Sequence, residues 1–318
     1  MTRRGLVRFS IALLLVAVGF LIPAVSPGQN PAPAQTEQAA LPEGPVQYSS
    51  LPSQSLGREL KYAVQLPPSY SRDQKRRYPV LYFLHGMNGS EREFESRGVA
   101  AAISRLRSEG KVGEFITVAP AGGQNSFYVN AKNGLQYEDA IVKDLLAHIE
   151  KTYRAAAGPR NRAIQGLSMG GFGAMLIAFK HPDMFSSITA HCSAVVAELP
   201  KPTGTSRREM FLLNLVGKLF GDPPDEAYFQ ANNPMSLADS NAAAIKKTNL
   251  KIYFDVGDQD RYGFTEPNKV LDGRMTRSGL VHEFHVFPGG HGWEYMLSVS
   301  NHSYGFLWKT FESNGSKK

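Results

Sequence analysis

The chain has 318 residues and is short of several things, and each shortage removes a class of protein. It contains one cysteine, Cys192. No intramolecular disulfide can form, and no cysteine cluster is present to hold zinc. Cys192 also lies far from the N-terminus, which excludes a lipid-anchored bacterial precursor. It reads as a small buried hydrophobe in the run Ile188-Thr189-Ala190-His191-Cys192. No block of Lys and Arg with interleaved aromatics occurs, so no nucleic-acid partner is expected. There is no internal repeat. With 42% hydrophobic and 20% charged residues, the composition is that of an ordinary globular domain large enough to bury a core.

What is present begins with a basic N-terminus. Arg3, Arg4 and Arg8 stand without an acid nearby, ahead of the apolar run Ile11–Ile22, which only Gly19 interrupts and Pro23 ends. A membrane-spanning helix needs about 20 residues, and this run is shorter. The pattern is that of a secretory leader. Thr2-Arg3-Arg4-Gly5-Leu6-Val7 also resembles a twin-arginine export signal. Cleavage is expected after about residue 26 or, at the small-x-small site Ala32-Pro33-Ala34, after 34. The alternative is an uncleaved anchor. Residues 1–34 are therefore read as a signal peptide of an exported, periplasmic or extracellular protein without stable membrane insertion after cleavage. Its loss lowers the net charge from +7 to +4, with 32 basic against 28 acidic residues.

Residues 35–45 continue a Pro/Ala/Gln-rich stretch and read as a disordered linker. Residues 46–312 read as one domain, and 313–318 as a frayed tail. Glu59–Leu66 alternates as a strand, with Leu60, Tyr62, Val64 and Leu66 on one face. Six further strands are expected near 79–84, 115–119, 162–166, 187–191, 250–256 and 283–287. Pro79-Val80-Leu81-Tyr82-Phe83-Leu84 is apolar throughout, as in a strand buried on both faces of a parallel sheet. Helical stretches intervene. The clearest is 139–153, with Ile141, Val142, Leu145, Leu146 and Ile149 forming one apolar stripe. Alternating strand and helix predicts an α/β fold, a mostly parallel central sheet with helices on both faces. Residues 195–248 lack a strand. They read either as a lid over the active edge or as ordinary surface helices.

Gly166-Leu167-Ser168-Met169-Gly170 sits between an expected strand and an expected helix. On so tight a turn, side chains two residues before and after the serine would strike backbone, and the serine hydroxyl is left exposed. A serine nucleophile needs a base and an acid that orients the base. Among eight histidines, His291 stands out. It follows the last strand in Phe287-Pro288-Gly289-Gly290-His291-Gly292-Trp293. The acid is expected after the fifth parallel strand, in Asp255-Val256-Gly257-Asp258-Gln259-Asp260. Asp255 belongs to the strand itself. Asp258 and Asp260 both remain as candidates, with reach favouring Asp260. The order Ser168, Asp260, His291 is that of the α/β-hydrolases. An oxyanion needs two donors. The backbone N–H groups of Met169 and of Met87, in Leu84-His85-Gly86-Met87-Asn88-Gly89, are placed to serve, with the His85 side chain bracing the loop.

These segments, with Leu66-Pro67-Pro68-Ser69-Tyr70 and His181-Pro182-Asp183-Met184-Phe185, resemble the esterase family of α/β-hydrolases. That family includes feruloyl and acetylxylan esterases, S-formylglutathione hydrolases and mycolyltransferases. The resemblance runs from about residue 48 to 311. It implies Ser168 as nucleophile, His291 as base, Met87 and Met169 amides as oxyanion donors, and the aspartate of a Gly-x-x-Asp pattern, here Gly257 and Asp260. Feruloyl esterases often carry tryptophan after the glycine-asparagine-serine element; here Asn125-Ser126 leads to Phe127-Tyr128. Asn88, Phe127 and Trp293 are read as substrate contacts. The resulting expectation is a cofactor-free and metal-free carboxylic-ester hydrolase acting through an acyl-enzyme on a small-molecule or carbohydrate ester. An acyltransferase is the alternative, and a binding protein on a hydrolase scaffold a third reading.

Overall fold

The computed structural model describes residues 44–199 and 206–315. The expected leader, most of the linker and residues 316–318 lie outside the described residues. Eight strands are present among those described: β1 Gln47–Ser53, β2 Arg58–Gln65, β3 Val80–Leu84, β4 Ile116–Pro120, β5 Arg162–Leu167, β6 Ser187–His191, β7 Lys251–Gly257 and β8 Glu283–Phe287. They make one sheet in the order β1-β2-β4-β3-β5-β6-β7-β8. β1 pairs antiparallel with β2, and β2 antiparallel with β4; every other neighbouring pair is parallel. The six expected parallel strands are therefore β3 to β8, and all of their carboxyl ends share one edge.

β1 was not anticipated. Most of its residues are exposed, so it carries no apolar alternation, and Pro52 is tolerated because the strand lies at the sheet edge. In β2 the expected apolar face forms, with Leu66 packed beside it from just beyond the strand. Leu60, Tyr62 and Val64 enter one core layer, whereas Ala63 enters the other, and the strand ends before Leu66. Its second half is covered on both sides.

The parallel strands split their side chains as a period of two requires. In β3, Val80, Tyr82 and Leu84 join one core cluster, and Leu81 and Phe83 join the second. All five residues are buried, and each large apolar side chain so placed stabilises the fold by about 1.5–3 kcal/mol. The helices Tyr137–Asp139 and Leu146–Thr152 flank a π-helical turn, Ala140–Leu145, within one helical run. The five stripe residues are buried as expected. Asp144 in the π turn accepts from the Ser55 amide at 3.0 Å, which ties the run to the edge hairpin.

Two further expectations change. Residues 313–315 are not frayed: the Ser300–Gly315 helix continues through them, and Asn314 Nδ2 donates to Arg160 O at 2.9 Å. Of residues 195–248, the helices Pro234–Ser240 and Ala242–Thr248 bury Met235, Leu237, Ala238 and Ile245 and behave as ordinary covering helices. The helix Arg207–Phe220 buries Leu215, Val216, Leu219 and Phe220 at its C-terminal half but exposes Met210, Phe211 and Leu213 at its N-terminal half. No helix among the described residues is long and apolar enough to cross a membrane.

Candidate active site

β5 ends at Leu167 and a helix starts at Met169, leaving Ser168 alone to turn the chain. It does so with φ +59°, in the left-handed region that β-carbon-bearing residues avoid. A Cβ at Gly166 would lie 2.0 Å from Gly170 O, and one at Gly170 would lie 2.1 Å from Leu84 O. Both obstacles are backbone, so neither can give way. The turn is held from behind: Ser168 N–H donates to His191 O at 2.9 Å, and Ala194 N–H to Ser168 O at 3.1 Å. The Ser168 side chain makes no capping bond to the helix and stays partly exposed.

β3 is the parallel neighbour of β5, with Leu84 opposite Gly166, so the loop after β3 emerges beside Ser168. A Cβ at Gly86 would stand 3.8 Å from Ser168 Cβ. In this loop the Asn88 amide donates to Gln124 O at 2.7 Å and the Gly89 amide to Gly86 O at 3.2 Å. The Met87 amide has no such partner among the described residues. The Met169 amide is the first of the helix, where no intrahelical acceptor exists. His85 is buried, its Nδ1 2.7 Å from Gly86 O and its Nε2 accepting the Gly122 amide at 2.9 Å. Nδ1 therefore carries the proton. Burial pushes the His85 pKa below the usual imidazole value, against weaker opposition from its bond to Gly86 and from Glu91.

The loops after β7 and β8 are zipped together. Gln259 N–H donates to Gly289 O at 2.8 Å, and Asp258 accepts the Gly289 amide at 2.9 Å. Asp260 Oδ2 lies 2.8 Å from His291 Nδ1, and Asp260 Oδ1 accepts the Tyr262 amide at 2.8 Å. The Asp260 side chain is wholly buried. An ionised carboxylate only accepts, so His291 donates from Nδ1 and its Nε2 keeps a lone pair. Asp260 and His291 are thus brought together, while Asp258 is spent on loop bracing. No hydrogen bond joins Ser168 to His291 among the described residues.

Cys192 follows β6, with its Sγ within 4.8 Å of the nearest Asp260 and His291 side-chain atoms. Burial pushes its thiol up to about 12, so it stays protonated and packs as a hydrophobe. The three residues expected to touch substrate do not form one wall. Asn88 is exposed, with φ +60°. Phe127 packs edge-on against Phe172, centroids 5.3 Å apart, in one core layer. Trp293 lies against Phe83, 6.0 Å away, in the other layer.

Three features escaped sequence reasoning. Tyr262 is half exposed and sets its ring edge-on to His291, centroids 4.6 Å apart; its place two residues after Asp260 was the available signal. Tyr128 is fully buried and donates to His85 O at 3.2 Å. A second histidine–aspartate pair, His191 Nδ1 and Asp255 Oδ1 at 3.0 Å, lies fully buried within the sheet. Its burial denies it any substrate, and no spacing distinguishes it from an exposed pair. Of the other histidines, His148, His181 and His282 bond to Tyr62, Glu138 and Asp272.

Known proteins resemble this chain in sequence and in fold. The Esterase family model matches residues 53–298. An esterase of Mycobacterium tuberculosis is 30% identical over 264 residues, covering 77% of this chain and 55% of that protein. The chain thus spans about half the length of that relative. A diacylglycerol acyltransferase/mycolyltransferase of Mycobacterium leprae is 24% identical and covers 93% of this chain and 89% of its own. Among solved structures, a ferulic acid esterase superposes with a TM-score of 0.72 at 28% identity, covering 84% of this chain and 97% of that one. An S-formylglutathione hydrolase of Agrobacterium tumefaciens shares the fold, with a TM-score of 0.63 at 20% identity over 83% of this chain and 94% of that one. With its mostly parallel sheet and the matching family model, the chain belongs to the esterase family of the α/β-hydrolases.

Proposed function

We propose that this protein is an exported serine carboxylic-ester hydrolase that works through an acyl-enzyme. Ser168 attacks the ester carbonyl while His291 Nε2 takes its proton. Asp260 holds the imidazole in the tautomer that leaves Nε2 free and stabilises the imidazolium that forms. The Met87 and Met169 amides receive the oxyanion, and the N-terminus of the Met169–Lys180 helix favours negative charge there. His291 then protonates the departing alcohol, and water repeats the sequence to release the acid. The observation that carries this reading is the Asp260–His291 hydrogen bond at 2.8 Å, formed at the same sheet edge as the strained Ser168 turn. Export rests on Arg3, Arg4 and Arg8 before the apolar run Ile11–Ile22. The substrate is a small-molecule ester, with phenolic esters proposed from the likeness to the ferulic acid esterase and carbohydrate esters from the family's resemblance to acetylxylan esterases.

A panel of p-nitrophenyl esters of increasing acyl length, followed by sugar and phenolic esters, tests the reading. Turnover is expected, with Ser168→Ala losing about 10⁴-fold or more in kcat. Retained activity in that variant removes Ser168 as nucleophile, and no turnover on any ester supports a binding protein instead. The likeness to the mycolyltransferase over nearly the whole chain favours acyl transfer as the second reading. Adding sugar acceptors to the same assay decides between them, since transfer yields an acylated sugar where hydrolysis yields only free acid.

A further inference from the structure

The loop after β4 grips the loop after β3 at three points. Gly122 N–H donates to His85 Nε2 at 2.9 Å, Tyr128 OH to His85 O at 3.2 Å, and Asn88 N–H to Gln124 O at 2.7 Å. The gripped residues are His85 and Asn88. Only Gly86 and Met87 lie between them, so the direction of the Met87 amide is set by how firmly those ends are held.

Tyr128 occupies the centre of this grip. Its ring is fully buried and lies edge-on to His85, with centroids 5.9 Å apart. A Cβ at Gly122 would meet the ring at 2.1 Å, and one at Gly173 would meet it at 2.4 Å. The ring is therefore wedged between the β4 loop and the helix that begins after Ser168. It reaches this place through an unfavourable backbone: Phe127 and Tyr128 are consecutive non-glycine residues with φ +51° and +57°. Such strain persists only where the surroundings over-determine it, and it concentrates at functional sites. Ser126 helps to hold it, with Oγ accepting the Tyr128 amide at 2.9 Å and donating to Gly122 O. Burial raises the Tyr128 phenol far above its usual pKa, so it remains a hydrogen-bond donor at any working pH.

We infer that Tyr128 is a positioning residue for oxyanion stabilisation, locking the His85 carbonyl, and through it the Met87 amide, in register with the Ser168 helix. The inference rests on the reading of Ser168 and Met87 given above. Tyr128 touches neither substrate nor the reacting atoms. Its contribution is realised in the transition state, when the carbonyl oxygen gains charge and moves onto the amide. Losing one oxyanion donor outright costs about 10²–10³-fold in kcat. Loosening a donor that is still present costs less, about 10-fold.

Tyr128→Phe in the full mature protein removes the hydroxyl and keeps the ring. Five quantities are read: kcat per active site titrated with a fluorophosphonate, KM, the pH midpoint of kcat/KM, the melting temperature, and the affinity for a trifluoromethyl ketone, whose adduct with serine places an oxyanion in the same position. The expected result is a fall of about 10-fold in kcat and an equal fall in ketone affinity, with KM and the pH midpoint unchanged. A purely structural role would instead lower the melting temperature and leave kcat per titrated site and ketone affinity alone, which overturns the inference. If Tyr128→Phe folds poorly, Gly173→Ala serves, because it drives a methyl into the ring from a helix that otherwise prefers alanine. The same paired losses are expected there, and their absence in a folded Gly173→Ala protein overturns the inference. Failure of the wild-type protein to label at Ser168 and to turn over esters overturns the underlying functional reading and this inference with it. Full labelling with equal kcat in wild type and variant overturns this inference alone.

Discussion

Replacing Asp260 by asparagine tests the site at its most constrained point. Both carboxylate oxygens are used: Oδ2 accepts a hydrogen bond from His291 Nδ1 and Oδ1 accepts one from the Tyr262 amide, each at 2.8 Å. Asparagine offers one acceptor and one donor of the same shape. If its oxygen serves Tyr262, its NH₂ faces His291 and forces the proton onto Nε2, so that no lone pair faces Ser168. If it is flipped, the NH₂ opposes the Tyr262 amide inside a fully buried site and leaves two donors unsatisfied. A wrong tautomer costs a serine enzyme about 10⁴-fold in kcat. That corresponds to about 5.4 kcal/mol of transition-state stabilisation. Asp258 is the internal control. It is exposed and accepts the Gly289 amide with one oxygen, a role asparagine keeps, so Asp258→Asn should change kcat by less than about threefold. The assay is kcat on a short p-nitrophenyl ester, with melting temperature recorded for each variant. A loss under tenfold in Asp260→Asn, or a larger loss in Asp258→Asn, would refute the assignment.

Two further outcomes follow from the same geometry. Gly170→Ala places a methyl 2.1 Å from Leu84 O and 2.7 Å from His85 O, obstacles of backbone that must move. It should cost about 3 kcal/mol and lower the melting temperature by roughly 5–10 °C, read by calorimetry, with a loss of activity in the folded fraction. An unchanged melting temperature and kcat would contradict the strained-turn account. His85 gives a pH dependence. Its folded pKa lies below the unfolded value of about 6.5, so between the two the unfolded chain binds the extra proton and stability falls as pH drops. His85→Gln removes that proton. Denaturant midpoints from pH 7 to pH 5 should therefore fall more steeply in wild type than in the variant, by up to about 1.4 kcal/mol per pH unit. Parallel curves would show that His85 does not titrate differently on folding.

β3 was legible in the sequence as a continuous apolar run because it is covered on both faces, whereas β5 to β7 bury Gln165, Ser187, Thr189, His191 and Asp255 and were legible from their alternation with helices. β1 was not legible, because an exposed edge strand need not be apolar. Residues 313–315 continue the helix despite their polar sequence because Leu307, Thr310 and Phe311 anchor it to the core one to two turns earlier. Residues 195–248 divide in a way no composition reveals: the same kind of helical pattern either covers the core or, at Met210, Phe211 and Leu213, faces outward.

The sequence by itself determined half of the turn at Ser168: Gly166 approaches the backbone of Gly170, a local steric demand, whereas Gly170 is forced by Leu84 and His85 of the neighbouring strand and its loop, a tertiary one. It also determined the order of strand ends on which Asp260 and His291 are carried. The tertiary structure decided what depends on atoms far apart in the chain. It chose between Asp258 and Asp260 by the loop pairing that aims one carboxylate at His291 and spends the other on Gly289. It separated Phe127 from Trp293 by placing them on opposite faces of the sheet. It also put Tyr128 beneath the Met87 loop, 43 positions from the His85 carbonyl it holds. Spacing along a chain fixes which elements can meet, but hydrogen bonds and ring contacts of a few ångströms depend on the packing that brings those elements together.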